Sequence, residues 1–388
     1  MGKIDDLIKE LCPDRVKYVK LGDYCSVTIG EFIHKDNQTE KGKYPVYNGG
    51  TSYTGFYDRF NNTANKVIMS ARGANAGYVN LIRVDYWAGN SCYSINPLED
   101  EILLLDFIYY HLKLKREYLL NQQQKGGIPA ISKQQVENLL IPLPPLSIQQ
   151  QIVEILDTFT DSISNLQEEL ELREKQMEYY RENLLSFDKE EVEWKKIRNI
   201  ADKCYPGATP STKKPEYWNN GTIPWMSSGE VHQGRVKFVE KHITQLGYDK
   251  TSTKMVPVNS IVVALAGQGK TRGTVAITQI ELCTNQSICS IVPNKNFLNP
   301  YYLYYFLKGQ YLNLRLLSAG DGTRGGLTLK MIEEYKIPVP SLTRQQEIVD
   351  ILDTFESMIT NIKEEIELRQ KQYEYYREKL LTFERKEA

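Results

Sequence analysis

Two stretches of the chain share one periodic pattern. Apolar residues fall at Ile152, Leu156, Phe159, Ile163, Leu166, Leu170, Met177, Tyr180 and Leu184. They fall again at Ile348, Leu352, Phe355, Ile359, Ile362, Ile366, Tyr373, Tyr376 and Leu380. Steps of four and three alternate, which is the spacing of a helical seam built to face another helix. No Gly or Pro interrupts either stretch, so the pattern predicts long helices over 148–185 and 344–381. Each would be roughly 57 Å long at about 1.5 Å per residue. Ser147 and Thr343 precede Gln150 and Gln346 by three, a capping-box spacing that predicts the helix starts. Arg173 and Arg369 occupy the one seam position in each copy that is not apolar. A charged residue in a seam sets register at some cost in stability.

Elsewhere the pattern is different. Short apolar runs such as Lys66-Val67-Ile68-Met69 and Ser260-Ile261-Val262-Val263-Ala264 predict strands. Each run leads into a polar loop rich in Gly, Asn and Ser. The fold expected from both patterns is α+β: two mixed α/β domains interleaved with two long helices.

The arrangement is a duplication. Residues 141–187 and 337–383 are identical at 30 of 47 positions, at a constant offset of 196. A fainter match joins Cys92–Pro97 to Ile288–Pro293, and Val16–Leu21 to Val192–Ile197. The order is therefore variable, near-identical, variable, near-identical. It divides the chain into 1–143, 144–187, 188–340 and 341–385. Near-identical parts do one shared job, and divergent parts recognise two different things. A seam helix cannot hide its stripe alone. Its partner is either the same helix of a second chain, as in a dimerisation coiled coil, or the other copy in this chain. Globular domains placed before each helix favour the second arrangement.

Charge sharpens the division. The formal net charge is −1, but residues 146–187 carry −6 and residues 342–383 carry −3. Residues 188–341 carry +7, and residues 1–145 carry +1. Phosphate binding needs local cations, not a basic whole chain. The second variable domain meets that requirement and the first meets it weakly. The acidic helices are solvated faces or docking sites for a protein.

The polar loops hold the residue types that read base edges: Arg and Lys on guanine, Asn and Gln on adenine. In the first domain the candidates are Asn48, Thr51, Ser52, Tyr53, Arg72, Asn75, Gln123 and Lys125. In the second they are Lys213, Ser227, Ser228, Gln268, Lys270, Arg272 and Arg324. Any one of these loops, taken singly, also reads as an ordinary surface turn. Recurrence in both domains is what points to a binding edge.

Other chemistry is poorly represented. Six cysteines form no C-x-x-C pair and four histidines leave little for a metal centre. Gly267-Gln268-Gly269-Lys270-Thr271 resembles the end of a P-loop but has Ala264 where the leading Gly belongs. Asn299-Pro300-Tyr301-Tyr302 resembles an adenine-methyltransferase clamp but has Tyr301 in place of its second proline, and reads better as a helix start. No apolar run is long enough to span a membrane and Met1–Asp6 has no signal-peptide core, so a cytoplasmic chain is expected.

The repeated I-P-x-P-x-L-x-x-Q-Q-x-I-V-x-I-L-D segments at 141–157 and 337–353 resemble the specificity subunits of type I restriction-modification systems. So do Tyr44-Pro45-Val46-Tyr47-Asn48-Gly49-Gly50 and Ile223-Pro224-Trp225-Met226-Ser227-Ser228-Gly229. The resemblance covers essentially the whole chain. It implies two target-recognition domains, each reading half of a split site in double-stranded DNA. It implies that the two long helices pair antiparallel within the chain, as a pseudo-twofold spacer. Two methylation subunits would dock on the helices, with motor-nuclease subunits joining for cleavage. S-adenosylmethionine, ATP and Mg would sit on those partners, and this chain would hold no cofactor and no catalytic residue. Two rival readings are a free-standing DNA-modifying enzyme, which lacks a cofactor loop, and a coiled-coil tether, which leaves the duplicated polar loops unexplained.

Overall fold

The protein is described by a computed structural model covering residues 6, 10–12, 15–121, 128–188, 192–267, 270–317 and 326–385. Four helices position the candidate loops: α1 (Leu105–Leu114), α2 (Leu146–Leu184), α3 (Pro300–Gly309) and α4 (Leu342–Leu381). The chain divides into two compact units, 1–168 with 364–388, and 169–363. Both boundaries fall inside the long helices. Each unit therefore contains one α/β domain, the start of one long helix and the end of the other.

Unit 1 is built on a four-stranded antiparallel sheet in the order Cys25–Ile29, Cys92–Pro97, Lys66–Ser70, Val79–Ile82. The centre of the Lys66–Ser70 strand, Val67-Ile68-Met69, is apolar throughout because both of its faces are covered. Strand alternation sorts it: Val67 and Met69 enter the core shared with α1 and α2, and Ile68 enters a second core with Tyr86 and Ala88. A smaller sheet places Tyr44–Tyr47 between Gly55–Tyr57, antiparallel, and Trp87–Ala88, parallel. Tyr18–Lys20 pairs with Leu140–Pro142 where the domain meets α2.

Unit 2 repeats this topology with different side chains. Its main sheet runs Ala201–Pro206, Ile288–Pro293, Ile261–Ala264, Val275–Thr278, with Arg235–Val236 added at the far edge. Val263 and Ile261 face the core under α3, and Val262 and Ala264 face the other way. The smaller sheet again has one antiparallel and one parallel neighbour around its middle strand, Ile223–Met226. Trp194–Lys196 pairs with Lys336–Pro338 as Tyr18–Lys20 does with Leu140–Pro142.

Within each unit the paired helix ends run antiparallel. In unit 1, Phe159 stacks on Tyr376 with ring centroids 5.2 Å apart, and Ile148, Ile152 and Leu156 share a core with Tyr373, Leu380 and Leu381. In unit 2, residue numbers rise along α2 as they fall along α4: Glu174 reaches Lys363 at 2.7 Å and Tyr180 stacks on Phe355 at 5.1 Å. The heptad seam is therefore satisfied inside one chain. Arg173 and Arg369 lie half-buried on it and reach back one turn to Glu169 and Glu365.

The helix starts differ from the expected capping boxes. The helices begin at Leu146 and Leu342, so Ser147 and Thr343 already lie in the first turn. In the second copy Ser341 is the cap, its Oγ accepting from the Arg344 amide at 3.3 Å. In the first copy Pro145 stands there and its carbonyl accepts from Ile148 and Gln149. Proline fixes φ in the helical range and needs no amide partner, so the helix can begin at once.

Candidate nucleic-acid interface

The candidate loops emerge from the ends of the strands. In unit 1, the loop after Tyr44–Tyr47 and the loop after Lys66–Ser70 are bound together. Ser70 Oγ donates to the Gly50 carbonyl at 3.0 Å, and Asn80 Nδ2 donates to the Thr51 carbonyl at 3.1 Å. The Gly49 amide points at Cys92 Sγ, 3.0 Å away. Gly49 and Gly73 have φ of 81° and 86°, a range in which a side chain is strained. Thr51, Ser52, Tyr53 and Arg72 are exposed on this double loop. Asn48 is not: it is half-buried, and its Oδ1 lies against Gly89 without a hydrogen-bond partner. Asn75 is half-buried, and its carbonyl accepts from the Tyr78 amide at 2.9 Å. Gln123 and Lys125 lie outside the described residues.

In unit 2 the same strand ends carry Ser227 and Ser228, then Lys270 and Arg272. Ser227 is committed locally: its amide and hydroxyl both donate to Glu230 Oε2, at 2.7 and 2.8 Å. Glu230, buried, also accepts from the Glu240 amide at 2.9 Å and so holds two loops together. Lys270 is exposed, and its carbonyl accepts from the Tyr311 hydroxyl at 3.0 Å. Arg272 is half-buried and Lys213 is exposed. Gln268 and Arg324 lie outside the described residues. The structure thus gathers Thr51, Ser52, Tyr53 and Arg72 on one edge. It turns Asn48 inward and commits the Ser227 hydroxyl to a carboxylate.

Four residues of these edges carry no evident signal in the sequence. Gly30 and Gly207 follow matching strands, and each passes directly over a carbonyl. A Cβ on Gly30 would lie 2.2 Å from Ala88 O, and one on Gly207 would lie 2.0 Å from Thr284 O. The next residues then donate to those same carbonyls, Glu31 to Ala88 at 2.8 Å and Ala208 to Thr284 at 2.9 Å. Thr209 and Gln286 are hydrogen-bonded to each other, and the neighbouring Asn285 amide donates to the carbonyl of Met226, the residue before Ser227, at 3.0 Å. Aligning the two halves at 177, one more than the upstream offset, finds the glycines; the extra residue is the irregularity between Ala201 and Lys203.

The near-identical segments weld each domain to its helix. Gln149 is fully buried: its Oε1 accepts from the Leu104 amide at 2.9 Å, and its Nε2 donates to the carbonyls of Ile102 and Pro144 at 2.9 and 2.8 Å. Gln345 repeats this with Asn299, Phe297 and Pro340 at 2.8, 2.8 and 2.9 Å. One helical turn pair further on, the Tyr110 hydroxyl donates to Asp157 and the Tyr305 hydroxyl to Asp353, both at 2.6 Å. Burial pushes both phenols well above the usual tyrosine range, and the carboxylates add to the effect.

Unit 2 adds charge to this joint. Glu356, where α2 has Thr160, accepts from Arg235 Nε at 2.7 Å and from Lys308 Nζ at 3.0 Å. Arg235 also reaches Asp353 at 2.6 Å and lies over the Tyr301 ring. Burial alone would raise the Glu356 carboxyl, but Lys308 and Arg235 together hold it below the ordinary glutamate value. An open groove of about 1220 Å³ runs alongside, lined by Arg235, Lys308, Glu356, Lys237 and Phe238. Among the described residues no cluster of His, Cys, Asp and Glu could hold a metal ion. Among them, too, no helix is long and apolar enough to cross a membrane.

Comparison with known proteins gives a consistent picture. The sequence profile of the type I restriction modification DNA specificity domain matches twice, over residues 13–173 and 189–368. The specificity subunit of the Escherichia coli type I enzymes EcoR124I and EcoR124II is 36% identical over 307 residues, 76% of this chain and 74% of that one. The MjaVIII specificity subunit of Methanocaldococcus jannaschii is 24% identical, over 92% of this chain and 91% of its own. In fold, the chain is similar to the crystal structure of a type I S subunit from M. genitalium. That match has a TM-score of 0.67 at 21% identity and covers 95% of this chain and 96% of the other.

Proposed function

Because the chain belongs to the family of type I restriction-modification DNA specificity subunits, we propose that each of its α/β domains reads one half of a two-part site in double-stranded DNA. Residues 1–143 and 188–340 are the reading domains, and 144–187 and 341–385 are the helices that space them. The observation that carries this reading is the repetition of one polar-edged topology on unlike sequences, each copy welded to the same helix segment through Gln149 or Gln345. A fold that repeats while its loop residues differ is suited to reading two different half-sites. The exposed Thr51, Ser52, Tyr53 and Arg72 form the first edge, and Lys213, Ser228, Lys270 and Arg272 form the second.

Glycine backbone at Gly49 and Gly73 lets the first edge approach a groove closely. The second domain carries +7 and binds phosphates strongly, whereas the first carries +1 and depends more on polar and partner contacts. The acidic outer faces of α2 and α4 repel phosphate and dock two methylation subunits. Chemistry resides on those partners, in the cytoplasm, with S-adenosylmethionine for adenine methylation, and with ATP and Mg on the motor-nuclease subunits. This chain supplies address, not catalysis.

The test is to assemble the chain with its methylation partners and map the modified adenines in DNA methylated by the complex. A two-part motif with a fixed unspecified gap supports the reading. Methylation at one continuous motif, or at none, contradicts it.

A further inference from the structure

The sulfurs of Cys204 and Cys289 lie 3.4 Å apart in unit 2. The two residues project from adjacent antiparallel strands, Ala201–Pro206 and Ile288–Pro293. There Cys204 pairs with Ile291 and Pro206 pairs with Cys289, so the cysteines are diagonal neighbours on one face. A disulfide needs its sulfurs at about 2.05 Å. Diagonal neighbours stand about 7–8 Å apart at Cα, a little beyond the roughly 6.8 Å that a disulfide spans, so closure also needs a small backbone shift, which one strand is placed to make. Ala201–Pro206 is the edge strand of its sheet and carries a register irregularity between Ala201 and Lys203.

We propose that Cys204 and Cys289 form a dithiol site that a low-molecular-weight disulfide, such as oxidised glutathione, converts to an internal cystine. The order of events follows from exposure. Cys204 is partly buried and is the more accessible of the two, so it meets the reagent first, whereas Cys289 is fully buried. The Cys204 thiolate attacks one sulfur of the reagent, forming a mixed disulfide and expelling one thiolate. Cys289 then gives its proton to water or base and attacks the Cys204 sulfur. The second thiolate leaves, so the protein loses two electrons and two protons and the reagent becomes two thiols. The contact with Cys204 and burial raise the Cys289 thiol in the reduced chain, and burial still disfavours its thiolate once Cys204 carries the adduct, so the second step is slow and accelerates with pH.

The site is confined to unit 2. The structurally equivalent positions of unit 1, by strand register, are Val27 and Tyr93. Cys25, Cys92 and Cys283 are buried, and Cys12 is the other described cysteine with partial exposure. The cystine would fix the edge strand that leads straight into Gly207 and the 207–213 loop of the second reading edge. Oxidation would therefore stiffen one half of the molecule and leave the other unchanged.

The experiment uses the full chain with Cys12→Ser, so that one reachable thiol remains. After incubation with oxidised glutathione at pH 8 and alkylation under denaturing conditions, peptide mapping is expected to recover a Cys204–Cys289 cross-link. The intact chain should have lost two hydrogens, with two fewer alkylated cysteines and a higher melting temperature. With Cys289→Ser, the same treatment should stop at a stable glutathione adduct on Cys204. The proposal is overturned by a lasting adduct on Cys204 while Cys289 is intact, by any other pairing of Cys204, or by a chain that stays fully reduced. The cross-link map of the chain that keeps both cysteines decides the matter even if the Cys289 variant fails to fold.

Discussion

The two units solve one mechanical problem in two ways. In unit 1 the joint between domain and helix holds its charges apart: Tyr110 on Asp157, Thr160 nearby, and Lys113 over the rings of Tyr109 and Tyr373. In unit 2 the same joint holds Arg235, Lys308, Asp353 and Glu356 in one network. The ends differ as well. In unit 2, α2 continues through the chain into Trp194–Lys196. In unit 1 the end of α4 reaches the matching strand without a covalent link, through the Tyr18 hydroxyl on the Phe383 carbonyl at 3.0 Å and the Val16 amide on Glu384 at 3.1 Å. The shared residues, Gln149 with Gln345 and Asp157 with Asp353, mark what the joint requires. The rest is variable, and its cost under perturbation should differ between the halves.

The largest effect is expected from Arg235→Ala. It leaves Asp353 and Glu356 partly buried with one cation fewer, which costs on the order of 3 kcal/mol. In unit 1, where Arg235 has no counterpart, Tyr110→Phe removes one hydrogen bond to a carboxylate and should cost about 2 kcal/mol. Chemical denaturation of both variants checks the order, and equal losses would mean that the charge adds nothing.

His111 sharpens the contrast next. It is completely buried, and burial, with Lys115 adding to it, lowers its pKa to about 3. The equivalent position of α3 is Phe306. A histidine whose folded pKa lies below its unfolded value of 6.5 keeps its full contribution above pH 6.5. Stability is lost as pH falls from there toward 3, by about 2 kcal/mol at pH 5. His111→Phe should abolish that part of the acid sensitivity. Unfolding curves at pH 5 and pH 8 whose difference survives the substitution would count against the buried-neutral assignment.

A smaller gain is expected from replacing both seam arginines. Arg173→Leu with Arg369→Leu restores an unbroken apolar stripe and should add about 1 kcal/mol, read as a rise of a few degrees in melting temperature. A fall would show that their pairs with Glu169 and Glu365 stabilise more than the seam loses. The smallest effect belongs to Lys363→Ala. Its pair with Glu174 is about half-exposed on both sides, and such pairs contribute about 0.5 kcal/mol or less.

Much of the architecture is legible in the order of residues alone. The two long helices and their duplication follow from apolar spacing and from identity between 141–187 and 337–383, and the globular domain placed before each helix favours the other copy as seam partner. The strands at 66–70 and 261–264 follow from short apolar runs. The helix starts are easily misplaced, because Ser147 and Thr343 satisfy a capping rule that Pro145 and Ser341 make unnecessary. The repeated topology of the variable regions is hidden for another reason. It is carried by backbone hydrogen bonds such as Glu31 to Ala88 and Ala208 to Thr284, which accept nearly any side chain. Gln149 and Gln345 stand in plain view inside the repeat, but nothing local tells a buried glutamine from its exposed neighbour Gln150. The inward turn of Asn48 depends on Gly89, which lies far along the chain.

The central claim is that paired helices set the distance between two reading domains. Deleting one heptad from both α2 and α4 shortens the pair by about 10 Å, or about three base pairs of duplex at roughly 3.4 Å each. Mapping the methylated motif of the assembled complex should then show both half-sites unchanged and the gap between them reduced by about that amount. An unaltered gap in a complex that still methylates would contradict the account.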